Sequence, residues 1–321
     1  MSKLKVVFYW AASCGGCEVS LLDTNEKIVE LGAIADILLM PLAFDGKYHD
    51  IEQLKDGEID VTFFNGGTRS TEHEHLAKLL RQKSKIMVSY GACASWGGIP
   101  GLANQFHVED ILKCVYEDTA SIAGSNPSKT RPQVKTDVPE GELTIPGLYD
   151  RVFPLDEVVK VDYYLPGCPP HVDWVVKTID AIAAGKLPPA GSVIGSSKTV
   201  CDECKREKSS DRKIKKFHRV HEIITDPEKC LLEQGIICSG PATRSGCGGA
   251  KCLDANMPCR GCYGPPPGVV DQGAKLLSVV ASMIDANEEE EIEKILSDIK
   301  DTIGTFYQFT LPKSILKGGV K

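Results

Sequence analysis

Apolar residues in the first half of the chain fall in short runs separated by polar stretches with helical spacing. Leu4–Trp10 (LKVVFYW), Asp36–Leu42 (DILLMPL), Ile59–Asn65 (IDVTFFN), Lys85–Tyr90 (KIMVSY) and Val161–Leu165 (VDYYL) carry the β-branched and aromatic content of buried strands. Helical patterns run from about Glu18 to Leu31, from Thr71 to Arg81 and from about Val172 to Ala184. Thr71 with Glu74 three residues on reads as a capping box. Strands alternating with helices predict a parallel sheet covered on both faces. The expected fold is α/β, a flavodoxin-like doubly wound sheet.

The pattern changes at Lys186–Gly191 (KLPPAG), which reads as a hinge. A first domain is expected over 1–186 and a second over 187–321. The second is small, irregular and dense in cysteine, with Cys201-x2-Cys204, Cys230-x7-Cys238, Cys247-x4-Cys252 and Cys259-x2-Cys262. So thin a core ordinarily needs metal to fold. The stretch Asp118–Asp150 shows no convincing element and is read as an arm contacting another subunit.

Composition narrows the setting. The chain has 321 residues, is 42% hydrophobic and carries a net charge of −7, which argues against nucleic-acid binding. No apolar run reaches the roughly 18 residues that suggest a membrane span. Met1–Trp10 lacks an apolar h-region and a twin-arginine motif, so a cytoplasmic location is expected. In that setting thirteen cysteines point to metal thiolates rather than disulfides.

Cys14 and Cys17 follow the first expected strand, Cys93 the fourth and Cys168 the fifth. All four would sit past the carboxyl ends of strands, where open parallel sheets bind ligands. Their loops, GACASWGG and LPGCPP, combine Gly and Pro. Thiolates select zinc, copper or iron–sulfur clusters, and a 4Fe–4S cube takes four. From spacing alone, buried structural cysteines in a nucleotide-binding sheet and two zinc sites in the second half stay open. The compact ferredoxin run C-x2-C-x2-C-x3-C-P is absent.

ASCGGCEVS (Ala12–Ser20), GACASWGGIPG (Gly91–Gly101), LPGCPPHVDW (Leu165–Trp174) and the ordered pairs of the second half resemble the small, electron-transferring subunit of NiFe hydrogenases. The likeness is greatest to the cytoplasmic methyl-viologen-reducing type and covers nearly the whole chain. It implies three 4Fe–4S clusters. Cys14, Cys17, Cys93 and Cys168 match the ligands of the proximal one. Cys247, Cys252, Cys259 and Cys262 match the medial set, and Cys201, Cys204, Cys230 and Cys238 the distal set. Exported members commonly have histidine at the position of Cys201 and proline at that of Cys252. Glycine at Gly16 and Gly98 argues against the modified proximal cluster of oxygen-tolerant members.

The implied reaction is H2 ⇌ 2 H+ + 2 e−, with the NiFe centre in a separate large subunit and no catalytic residue in this chain. The electron acceptor would be a further iron–sulfur or flavin subunit, linked to heterodisulfide reductase, to NAD or to ferredoxin. Two alternatives are a complex I-like small iron–sulfur subunit and a zinc-stabilised interaction module. Glu18 is a candidate for proton traffic, docking or macrodipole stabilisation, and His171 for donation to a sulfide or for packing. His218 and His221 could form a metal pair, although eight cysteines nearby already suffice for two sites. Cys114 is read as a small buried residue. Lys205–Arg219 holds eight Lys or Arg residues, read as a solvated face or as guidance for an acidic partner. Glu288–Glu291 reads as solvated helix surface.

Overall fold

The computed structural model describes residues 3–44, 46–122 and 124–318; Ala123, within the expected arm, and Met1 and Ser2, within the leading stretch, lie outside them. In chain order the strands are β1 (Leu4–Trp10), β2 (Ala35–Leu39), β3 (Ile59–Asn65), β4 (Thr68–Ser70), β5 (Ser84–Tyr90), β6 (Lys135–Val138), β7 (Gly141–Thr144), β8 (Leu148–Phe153) and β9 (Tyr163–Leu165). Five of them form one parallel sheet in the order β2-β1-β3-β5-β9, with Val6 opposite Val61 and Val61 opposite Ile86. Counted along the sheet this is the doubly wound order expected from the sequence.

Alternation along each strand divides the core. Val6, Phe8, Phe63 and Val88 pack with Leu21, Leu31 and Val175 on one face. Val7, Tyr9, Phe64 and Met87 pack with Ile51, Leu76 and Leu80 on the other. Phe8 and Phe63 stack with ring centroids 4.9 Å apart, and Tyr90 meets both edge-on.

The expected first helix is two. α1 (Gly16–Leu22) ends at Asp23 and α2 (Lys27–Ile34) begins after a polar turn in which Asn25 has φ +54°. Following α3 (Tyr48–Glu52), α4 (Thr71–Lys83) is capped by Ser70, whose hydroxyl accepts from the His73 amide, and not by Thr71. Glu74 instead bonds Lys78 and the Tyr149 hydroxyl. Ser70 closes β4, which pairs antiparallel with β8, and that long-range partner fixes where the helix starts.

α5 (Gly91–Trp96) follows β5 directly, and α6 (Val108–Lys113) leads into the 118–150 stretch. That stretch is not elementless: β6 and β7 form an exposed hairpin and β8 begins within it. α7 (Val172–Ala183) returns over the sheet, and Val193 bridges to Tyr164 at its edge.

The second half has more regular structure than its sequence suggested. Two single-turn helices, α8 (Val200–Glu203) and α9 (Lys251–Asp254), sit in the cysteine loops. α10 (Gln272–Met283), α11 (Glu289–Leu296) and α12 (Thr302–Phe306) follow. Leu276, Val280 and Met283 bury one stripe of α10 against Ile214, Phe217, Leu232 and Tyr307. Among the described residues no helix is long and apolar enough to cross a membrane.

Candidate functional site

Cys14 lies in the loop after β1, Cys17 in the first turn of α1, Cys93 in α5 and Cys168 in the loop after β9. The doubly wound order brings all four to one place on the carboxyl edge of the sheet. They are close enough to act on each other's charge: Cys17 feels Cys93, Cys168 and Cys14, and Cys93 feels Cys168 and Cys14. Burial first, and these neighbours second, push Cys17 well above the ordinary thiol range and Cys93 up to about 12. Thiols raised as far as Cys17 and Cys93 become thiolates only against strong local positive charge, which bound iron would supply.

The surrounding backbone leaves room for sulfur and little else. Gly91 has φ +87°, and a Cβ there would overlap the Cys17 Sγ. Gly98 has φ +58°, and its Cβ would stand 2.5 Å from the Cys93 Sγ. The Ile99 amide donates to Cys93. A cradle closed to side chains and supplied with an amide donor fits an iron–sulfur group.

Glu18 is 0% exposed in the first turn of α1. Its Oε2 accepts from Asn65 Nδ2 at 3.4 Å, and its Oε1 has no partner. Burial raises it to about 7, against the lowering effect of Asn65. His171 caps α7 by accepting the Asp173 amide on Nδ1, while its own amide donates to the Tyr263 hydroxyl at 2.7 Å. A Cβ at Gly248 would come within 2.6 Å of the His171 Nε2, so this ring packs against the Cys247 loop.

The eight later cysteines gather as two groups. Cys201 is raised to about 12 by burial, then by Cys238, Cys230 and Cys204, while Lys208 opposes. Cys262 is likewise raised to about 12 by burial, then by Cys168, Cys247 and Cys252. Cys259 feels Cys238 and Cys262. The groups touch end to end: the Cys168 amide donates to the Cys262 sulfur, and the Cys259 amide to the Cys238 Sγ at 3.3 Å. Among the described residues no three His, Cys, Asp or Glu side chains are arranged to hold a single metal ion.

The basic segment is only partly a solvated face. Arg206 is buried and donates to the carbonyls of Asp226, Lys229 and Leu253 and to Asn256 Oδ1. Lys208 Nζ donates to the Cys201 carbonyl at 2.8 Å, which puts a cation beside that quartet. Lys213 and Lys215 both pair with Asp285. His218 and His221 line a cavity with Arg219 and Arg260, and among the described residues they belong to no metal-ligating group of three or more. Glu288–Glu291 is exposed as expected. Cys114 is exposed, not buried, because its turn after α6 packs on no core.

Sequence reasoning missed Tyr263 and Trp174. The indole of Trp174 donates to the Gly246 carbonyl at 2.9 Å and, with Tyr263, ties α7 to the Cys247–Cys262 loop. The available signal was Tyr263 standing next to Cys262 and Trp174 closing the LPGCPPHVDW run that contains Cys168.

Residues 14–182 match the family described as NADH ubiquinone oxidoreductase, 20 Kd subunit, the class to which the sheet and its first quartet conform. Relatives matched over the full length are narrower. The chain is 39% identical over 318 residues to the iron–sulfur subunit of the F420-non-reducing hydrogenase of Archaeoglobus profundus, covering 98% of each chain. It is 36% identical to a subunit of the F420-non-reducing hydrogenase of Methanothermobacter marburgensis, covering 99% of this chain and 98% of that one. Among solved structures, a chain of the NAD+-reducing NiFe-hydrogenase in the H2-reduced state aligns with a TM-score of 0.50 and 30% identity, over 58% of this chain and 94% of that one. The chain belongs to this family, as a subunit of a hydrogenase.

Proposed function

We propose that the chain is the electron-transfer subunit of a cytoplasmic NiFe hydrogenase complex, carrying electrons from H2 oxidation in a large subunit to a further redox subunit. It acts only as part of that complex and holds no catalytic residue of its own. In this reading Cys14, Cys17, Cys93 and Cys168 hold the proximal 4Fe–4S cluster in the domain 1–186. The domain 187–321 holds the medial cluster on Cys247, Cys252, Cys259 and Cys262, and the distal one on Cys201, Cys204, Cys230 and Cys238. Bound clusters would supply one-electron exchange, splitting the two electrons of H2 into single transfers.

The observation that carries the reading is the end-to-end contact of the three quartets, through Cys168 with Cys262 and Cys259 with Cys238. The set nearest the sheet edge meets the middle set, and the middle set meets the outer one, although the chain visits the outer set second. Lys208 beside the outer set and Arg260 between two middle ligands add positive charge, which favours accepting electrons. The acceptor subunit is iron–sulfur or flavin in kind, linked to heterodisulfide reductase, NAD or ferredoxin.

Cys17→Ser in the complex tests the assignment. Hydrogen–deuterium exchange at the large subunit should persist while H2-driven dye reduction falls at least about tenfold, since binding and relay are separable. Full iron content with undiminished dye reduction would contradict it.

A further inference from the structure

A cavity of about 400 Å³ lies at the seam between the sheet domain and the second half, away from the quartets' thiols. Its walls are largely apolar, from Trp96 and Val193 on one side and Pro266 on the other. Three polar groups on its lining residues are left without partners: Trp96 Nε1, Arg244 Nε and the Thr310 hydroxyl. Arg244 is 7% exposed, gives one hydrogen bond from Nη1 to the Ser196 carbonyl at 2.8 Å, and has a buried Nε with no partner. Thr310 is 3% exposed, and its hydroxyl has no partner.

A guanidinium cannot shed its proton inside a protein, so Arg244 remains a buried cation. Among the described residues no carboxylate pairs with it; burial is the sole influence on it. The nearest acid on the wall is already committed: Asp271 caps the Ala274 amide through Oδ1 and accepts the Ile315 amide on Oδ2. The other cation on the wall, Lys313, is held by Asp156 at 2.6 Å. A buried, unpaired charge is strongly unfavourable, and a planar anion meeting the guanidinium fork relieves it.

We propose that this cavity is a binding site for a carboxylate carried on a small apolar body, with Arg244 as its charge partner and Thr310 as a second donor. The same chemistry has two sources, a free organic acid or an Asp or Glu side chain that another subunit inserts. Val270, 90% exposed at the mouth, offers an apolar rim to either.

Benzoate is the probe and benzamide its uncharged match, measured by saturation-transfer NMR on the purified complex and on the cluster-loaded full chain. Benzoate should bind at least one of them, with benzamide about tenfold weaker or more, as expected for losing a charge-assisted hydrogen bond. Binding to both identifies a free acid as the occupant. Binding to the chain alone identifies a partner's carboxylate already in place. Arg244→Gln should weaken benzoate about tenfold or more. Val270→Asp, at an exposed position that leaves folding intact, should also weaken it by adding like charge at the mouth. No benzoate binding to either sample, equal binding of benzamide, or unchanged affinity in Val270→Asp would overturn the proposal.

Discussion

The amide of Cys259 donates to the Sγ of Cys238 at 3.3 Å, although the two cysteines belong to different quartets. The Ser239 amide returns a bond to the Cys259 carbonyl at 2.9 Å. One backbone bond and one bond to a ligand sulfur thus tie the segment after Cys238 to the Cys259 loop. Hydrogen bonds to ligand sulfur also raise a cluster's potential. In the proposed relay the join would serve both the spacing of the two sets and the driving force for an electron leaving the middle one.

Gly98→Ala should damage the first quartet selectively. The φ of +58° strains any side chain, and the added Cβ would stand 2.5 Å from the Cys93 Sγ. A cost of about 1–3 kcal/mol is expected for the backbone alone. Iron analysis should show a loss of about four irons per chain, matching one 4Fe–4S cluster. Retained iron with an unchanged melting temperature would mean that the loop is looser than its contacts indicate.

Cys252→Pro should leave three ligands in the middle set. Cys252 occupies the first turn of α9, where a missing amide proton is tolerated. The expected outcome is a 3Fe–4S cluster visible by EPR in the oxidised protein, with a raised potential. Transfer to a low-potential acceptor should fall, while a high-potential dye remains reducible. Unchanged spectra and potentials in a folded variant would remove Cys252 from the ligand set.

Much of the fold was legible because its strands are short apolar runs with polar ends. β1 and β3 fall on Leu4–Trp10 and Ile59–Asn65, as the sequence pattern indicated. The convergence of Cys14, Cys17, Cys93 and Cys168 was legible too, because strand order places every post-strand loop on one edge. The errors came from contacts distant in sequence. Ser70 replaces Thr71 as cap because β4 pairs with β8, and the 118–150 stretch hides a hairpin whose faces are both exposed. α10 was missed although Asp271 caps it and Leu276, Val280 and Met283 share one face. The surrounding Gly, Pro and Cys obscured that period.

Arg206→Ala should destabilise the second half. The guanidinium ties together the carbonyls of Asp226, Lys229 and Leu253 and Asn256 Oδ1. Gln234, the Asn256 amide and Thr225 also donate to these acceptors, so its removal loses the cross-links without stranding them. A loss of about 1.5–3 kcal/mol is expected, the range for lost hydrogen bonds to a charged group. Thermal unfolding of the variant should begin well below that of the parent. A shift of less than a degree would show that water replaces the guanidinium freely.

Neutralising Lys213, Lys215 and Lys216 tests whether the basic segment guides a partner. Asp285 already offsets part of the charge of Lys213 and Lys215, so the effect should be modest. Transfer to the physiological acceptor should slow by about twofold to fivefold at low salt and recover near 0.5 M salt, where screening is strong. Dye reduction should not change. Equal losses with both acceptors would indicate damage near Cys201 instead.

Metal and sulfide analysis of the chain purified without oxygen tests the central claim most directly. Three 4Fe–4S clusters require about twelve irons and about twelve acid-labile sulfides per chain, with zinc absent. A chain holding about four irons and two zinc ions would assign the eight later cysteines to structural zinc. That result would leave the first quartet without an outlet and contradict the relay.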